Sequence, residues 1–358
     1  MDELHLLRAT RNTTGTVPPA VLAAGREKLM QKAADEESAQ HPPAPVLRPR
    51  RPWRRVVLAS AAAAAIVAAV LTLDVVGSGE RPGATASAAQ VLNEAAATTI
   101  EASDPVLKPG QYLLVDTKAV HAAFTSAADG QQFVWLQSQD TQLYVPADRS
   151  GEWVWNREPG VPVQFFDEAS RQEAEREAAE REAAGVQNGA EVWRAPAGQW
   201  QPYGEQQPSQ QLILGTMPLE EAIAAAPRNP EELLELIYDY QRTQGKGDAP
   251  YEEAFITIAD PLRTGVVPAD LRAALYQAAA LIPGLTVVES EATLDGRTGV
   301  SLGMATTRYE ARQEIIVDPV TGQMIGEREI LLEDVDGIPA GSASTWTAVT
   351  VSVVLQVH

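Results

Sequence analysis

Between Val56 and Leu73 the chain reads VVLASAAAAAIVAAVLTL, an unbroken run of apolar and small residues in which Ser60 and Thr72 are the only polar ones. Asp74 interrupts it, and Val75 and Val76 follow. At about 1.5 Å per helical residue, a run of roughly 18 to 21 residues spans about 27–31 Å, the thickness of a bilayer's hydrocarbon core. The spacing predicts a transmembrane helix over 56–76. Trp53 marks one end at headgroup depth, and Asp74 lies at the other, where a carboxylate reaches the interface. Ser60 can bond back to its own helix. A buried helix of a soluble domain rarely runs this long without a charge. A cleaved leader is the other alternative, because ATASAA from Ala84 contains A-x-A sites. Leaders, however, have short n-regions and apolar cores of about 7–15 residues, whereas 55 residues precede this span.

Basic residues set the expected orientation. Arg48, Arg50, Arg51, Arg54 and Arg55 crowd the N-terminal side of the span. With Trp53, the last four of these arginines form the expected anchor flank. The positive-inside rule then puts residues 1–55 in the cytoplasm and 77–358 outside. Charge divides the same way. Residues 1–55 hold ten Lys/Arg against six Asp/Glu, and residues 56–358 hold eighteen against forty-two, within a chain of net charge −20. Such an acidic exterior argues against nucleic acid or anionic lipid as a partner held by bulk charge. Membrane lipid around the anchor is the expected contact.

There is no cysteine. That excludes a disulfide framework, thiolate metal sites, cysteine nucleophiles and a lipid-modified N-terminal cysteine. An exported region of about 280 residues can bury enough apolar area to fold without disulfides.

The first 55 residues read as a tail with one short helix after Pro18-Pro19, then a Pro/Arg spacer. Residues 77–88 read as a flexible tether. A helix is predicted over 88–102, with Val91, Leu92, Ala95 and Ile100 inward. Segments with period-two alternation follow at 110–117, 131–146 and 151–157, rich in aromatic and β-branched residues. DEASRQEAEREAAEREAA at 167–184 has only alanines as apolar residues, and places Arg171/Glu175, Arg176/Glu180 and Glu177/Arg181 four apart. It reads as a solvated helix between strands, because it lacks the Leu or Ile seam of a coiled coil. Met217–Ile223 reads as a turn or short helix. Asn229 and Pro230 open a clear helix with Leu233, Leu234, Ile237 and Tyr238 on its apolar stripe. A second runs from Glu252 to about Arg263. A third follows Pro268, with Leu271, Leu275, Ala278 and Ile282 on one side. Strands return at 285–292, 298–305, 312–317, 324–332 and 345–357. The expected fold class is α+β: a curled, half-barrel-like antiparallel sheet with helices packed on one side, preceded by a single transmembrane helix. Residues 89–358 form the expected exterior domain.

VPADLRAALYQAAALIPGLTVV, followed by DGRTGVSL, IIVDPVTGQMIGEREILL and a late STWTAV, resembles an uncharacterised family of single-pass membrane proteins from actinobacteria. The short tail, the arginine-flanked span and the NPEELLELI helix belong to the same likeness. The resemblance implies an anchored exterior domain without known enzymatic activity. More distantly, that domain resembles the lipoprotein-carrier and sigma-factor-regulator half-barrels, which hold or sense an acyl chain. This second likeness is one of fold alone.

Little in the chain points to chemistry. His5 and His41 lie in the tail, and His358 is the last residue. Only His121 falls in the exterior domain, and it reads as a surface or strand-end residue. No zincin, nucleophile-elbow or phosphate-loop motif is present. The acidic run after Leu332 lacks the spacing of a calcium loop. Expected, therefore, are no catalytic residues, no cofactor and no metal. Tryptophan is more informative. Trp135, Trp153 and Trp155 fall on predicted strands, where they either pack the sheet or line an aromatic face for an apolar ligand. The expected function is a membrane-anchored extracytoplasmic binding or regulatory domain, an envelope sensor or lipid-ligand module acting without catalysis. Its partner would be an apolar ligand or an envelope protein. A structural envelope scaffold is the alternative, followed by a hydrolase of envelope polymers.

Overall fold

After a first helix the chain runs through a β-rich block, a set of helices and a second β-rich block, as the alternation in the sequence predicts. The computed structural model describes residues 83–127, 130–185, 191–200, 219–246, 249–306 and 310–357, all from one compact unit of the chain. Helix α1 (Ala86–Ala102) leads into β1 (Tyr112–Ser126), β2 (Gln132–Ser138), β3 (Thr141–Pro146), β4 (Glu152–Arg157) and β5 (Val161–Phe165). Helix α2 (Glu168–Ala183) and β6 (Glu191–Pro196) complete the first block. Then come α3 (Leu219–Ala225), α4 (Pro230–Thr243), α5 (Pro250–Arg263) and α6 (Ala269–Ala279). The second block is β7 (Thr286–Leu294), β8 (Arg297–Thr306), β9 (Ala311–Val317), β10 (Met324–Leu331) and β11 (Ala343–Val354).

The strands form one sheet in the order β6-β4-β3-β1-β11-β10-β9-β8-β7, with β2 and β5 branching from β1. The last strand therefore lies in the middle. Strand β11 pairs antiparallel with β1 from Tyr112↔Val354 to His121↔Thr345. On its other side it pairs with β10. Strand β1 is long enough to hold two partners in succession. Its first half pairs with β3 and its second half with β2. What reads in sequence as one segment over 131–146 is thus two strands, folded back at Gln139-Asp140.

Helices α1, α4, α5 and α6 stack on the sheet face that carries Val115, Val300, Leu302, Ile315, Val317 and Val349. Alternation puts Ile316, Ile325 and Ala348 on the opposite face, in a smaller cluster. Helix α6 is the centre of the helical layer. Leu271, Leu275, Ala278 and Ile282 are fully buried as predicted, but so are Tyr276 and Ala279, and Ala274 nearly so. The helix is buried on nearly every side, and its alanines let α1, α4 and α5 approach closely. Ile100, expected inward, is half-exposed near the end of α1.

Helix α2 stands apart from this layer. The three predicted Arg–Glu pairs all form, at 2.5–2.6 Å. The helix is capped by Asp167, whose carboxylate accepts from the Ser170 amide. It docks on β2 by its two buried small residues, Ser170 and Ala174, with the Val134 amide donating to Ser170 Oγ at 3.1 Å.

The expected fold class needs correction. In place of a half-barrel domain preceded by a transmembrane helix, the chain forms a mostly antiparallel eleven-stranded sheet with six helices among the described residues. No helix among them is long and apolar enough to cross a membrane. The longest, α1, has 17 residues and carries Glu94 and Glu101. At about 1.5 Å per residue it reaches ~25 Å, short of the roughly 30 Å core. The expected span at 56–76, its flank of Arg50, Arg51, Trp53, Arg54 and Arg55, and the tail helix lie outside the described residues.

At Gly326 the β10 backbone lies against β11, where a methyl group would run into the carbonyl oxygen of Thr347 and the side chain of Leu294. The Gly326→Ala variant is expected to lose about 2–3 kcal/mol, read as a lower urea midpoint at unchanged m-value. An unchanged midpoint would mean that the two central strands part freely enough to admit a methyl group.

Candidate functional site

A cleft of about 490 Å³ opens where the α1–β1 loop, the α5–α6 loop and the β1/β3/β11 end of the sheet converge. Its floor is apolar: Leu113, Val145 and Val351 from the sheet, and Ile223 from α3. Val106 stands at its rim and is 93% exposed. Gly265 lets the α5–α6 loop lie directly on the sheet. It has φ +67°, and a Cβ there would sit 2.9 Å from Val115 Cγ1 and 3.0 Å from Val351 Cγ2. The conformation and the contact both require glycine.

Two ion pairs flank the floor. Arg149 follows β3, and its Nε donates to Glu220 Oε1 at 2.8 Å in the first turn of α3. Its guanidinium lies 5.2 Å over the ring of Trp153, whose Nε1 donates back to the Arg149 carbonyl at 2.9 Å. Trp153, fully buried, thereby fixes the position of the arginine. On the opposite wall, Arg272 in α6 pairs with Asp104 at 2.8 Å. Asp104 does a second job. Pro268 precedes α6 and has no side chain able to cap it, so Asp104 Oδ2 accepts from the Ala269 amide at 2.7 Å.

The loop that forms one wall is tied to the sheet from below. Arg263 ends α5, and its Nε lies 3.2 Å from Glu327 Oε1 on β10, while Asp260 Oδ1 accepts from the same Nε at 3.2 Å and from Nη2 at 2.9 Å. Burial pushes the Glu327 carboxyl up to about 7 against the opposing pull of Arg263, with Asp260 adding to the rise.

A second, more open hollow of about 560 Å³ lies at the other end of β1, lined in part by His121, Phe124, Glu310 and Glu329. His121 is not at a strand end. It sits within β1, in register with Thr345 and Gln137, and burial lowers its pKa. Glu329 accepts from Ser344 Oγ at 2.6 Å. No group of three or more His, Asp or Glu able to hold a metal occurs among the described residues.

None of the three tryptophans singled out in the sequence lines either hollow. Trp153 is core, in contact with Arg149. Trp155 is half-buried, edge-on to Trp193 at 6.4 Å, with Arg157 over its ring. Trp135 is buried on β2, and its Nε1 has no hydrogen-bond partner. The cleft residues Asp104, Arg149, Glu220 and Arg272 carry no local motif. They come from four separate elements, and only the turn-prone prolines beside them hint at loops. No family model, no curated protein and no solved structure matches this chain.

Glu327 makes stability depend on pH. The folded carboxyl keeps its proton to about pH 7, whereas its ordinary value is 4.5. Folding therefore takes up a proton between these values. The stability contributed by the protonated form is complete below about pH 4.5 and is lost as pH rises through about 7. Between pH 5 and 8 the Glu327→Gln variant should gain in Tm relative to wild type as pH rises. A Tm difference independent of pH would mean that this carboxyl ionises normally.

Proposed function

We propose that the chain is an extracytoplasmic binding protein that holds a largely apolar small molecule in the cleft between its sheet and helices, and that it acts without catalysis. The observation that carries this reading is the cleft itself: a preformed hollow with an apolar floor and a few fixed polar groups, the usual make-up of a small-molecule site. The carboxylates on its walls, Asp104 and Glu220, each serve an arginine. That arrangement suits positioning better than proton transfer. Trp153 contributes from beneath, by seating Arg149. A regulatory or sensing role would follow from ligand-dependent change in the α5–α6 loop, which rests on Gly265 and the Arg263–Glu327 pair. An exterior location draws its support from the acidity of residues 56–358 and the arginines before Val56.

The neutral fluorophore N-phenyl-1-naphthylamine should brighten on binding to the full chain. Val351 is 37% exposed on the cleft floor, and Val351→Trp should remove most of that signal while leaving Tm within a few degrees. No signal from the wild-type protein would favour the scaffold reading. A phosphatase active only outside the cytoplasm, fused after the last residue, should be active. An inactive fusion would overturn the exterior location.

A further inference from the structure

We infer that the ligand of the cleft bears a carboxylate, and that this group docks on the free edge of Arg272 beside the hydroxyl of Tyr276. The inference rests on the reading of the cleft as a ligand site and names the class of molecule it takes.

Arg272 is 5% exposed. Its Nη1 is fully used, donating to Asp104 Oδ1 at 2.8 Å and to the Val267 carbonyl at 2.7 Å. Its Nε and Nη2 are buried and have no acceptor. These two nitrogens form the side-on edge of a guanidinium, whose parallel N–H groups match the two oxygens of a carboxylate. One turn along α6, the hydroxyl of Tyr276 is also buried without a partner. Residues four apart share one helix face; Arg272 lines the cleft, and Tyr276 lies fully buried behind that lining. Arg272 and Tyr276 also interact electrostatically, together with Asp318. Asp318 is already engaged by the Val320 amide and the Thr321 hydroxyl, both at 2.8 Å.

The fold therefore holds a bidentate donor edge and a phenol on one helix with no protein acceptor for either. Isolated buried donors of this kind are rare, and charged ones rarer. Charge favours an anion over a neutral acceptor. The guanidinium pairs with Asp104 at 2.8 Å, and that carboxylate is also shared with the first amide of α6. Access is from the cleft, because Arg272, Asp104 and Val267 line it. Nε and Nη2 are sealed from water at rest, so the incoming carboxylate displaces a side chain at that wall, and the apolar floor receives the rest of the molecule. An alkyl chain ending in a carboxylate meets both demands.

The test is displacement of N-phenyl-1-naphthylamine from the full chain by decanoate, decanol and decyl phosphate. Decanoate is expected to displace the probe at a concentration at least tenfold below that of decanol. Arg272→Lys keeps the charge without the fork, and should bring the ratio down to about threefold or less. Tyr276→Phe should reduce it by a smaller factor. Equal potency of decanoate and decanol on the wild-type protein overturns the inference and leaves the cleft reading intact. A probe that does not bind, or binds equally to Val351→Trp, overturns the cleft reading instead. Decyl phosphate stronger than decanoate overturns the assignment to a carboxylate. Should the α6 variants fail to fold, the wild-type acid-to-alcohol ratio decides alone.

Discussion

The ladder between β1 and β11 joins strands about 230 residues apart and makes one sheet of two halves. Without it, β2–β6 and β7–β10 would each end in an edge of unpaired backbone at the place where the core is deepest. Two central strands pay off that exposure only when both are present, since β11 also carries β10 on its far side. Such long-range antiparallel pairing is slow to find, because loop-closure entropy must be met before the contacts form. It also sets where a substitution is felt most. Gly326 lies one strand away from the ladder, where β10 and β11 come too close for any side chain.

The cleft is a consequence of the same arrangement. Helices α5 and α6 cover the sheet, but at the β1/β3/β11 end only the short helix α3 and two loops reach across. Gly265 brings one loop down onto Val115 and Val351, and Asp104 draws the other to the start of α6. The first is also anchored by Val266 and Val267, both buried in the core. The second is held by a carboxylate that serves both a helix amide and an arginine. On the cleft walls Asp104 and Glu220 each hold an arginine, whereas Nε and Nη2 of Arg272, and the buried hydroxyl of Tyr276 behind them, have no acceptor. In a core that otherwise buries alanine and leucine around α6, those unmet donors are the least economical feature, and the most specific.

Secondary structure was legible in the residues because local rules suffice for it. Asn229-Pro230 opens α4, and the Asn229 side chain caps it as predicted. The Asp295-Gly296 turn between β7 and β8 has positive φ at both residues. The Arg–Glu spacing of α2 gives its three ion pairs. Sequence failed where the partner decides. The stripe read for α6 covers Leu271, Leu275, Ala278 and Ile282, yet Tyr276 and Ala279 are buried as well, because α1, α4 and α5 all pack on this helix. His121 reads as a surface or strand-end residue, because nothing local says that β1 continues to pair with β2; it is half-buried and lines the open hollow, but it lies within β1.

What the sequence determined by itself is the coarse order of a β-rich block, helices and a second β-rich block, the antiparallel character of the sheet, the absence of disulfide chemistry and the buried stripe of α6, all of which follow from periodicity and composition over short windows. What only the tertiary structure decided is the central place of β11 and the location of the cleft. The tryptophans carry the largest apolar area and drew attention in the sequence, yet Trp153 serves the site only through Arg149. Asp104, Arg149, Glu220 and Arg272 look like ordinary surface charges in a chain with 76 charged Asp, Glu, Lys and Arg residues. They become a site because residues as far as 168 apart in the chain are brought within hydrogen-bond distance, and no local pattern encodes a contact of that range.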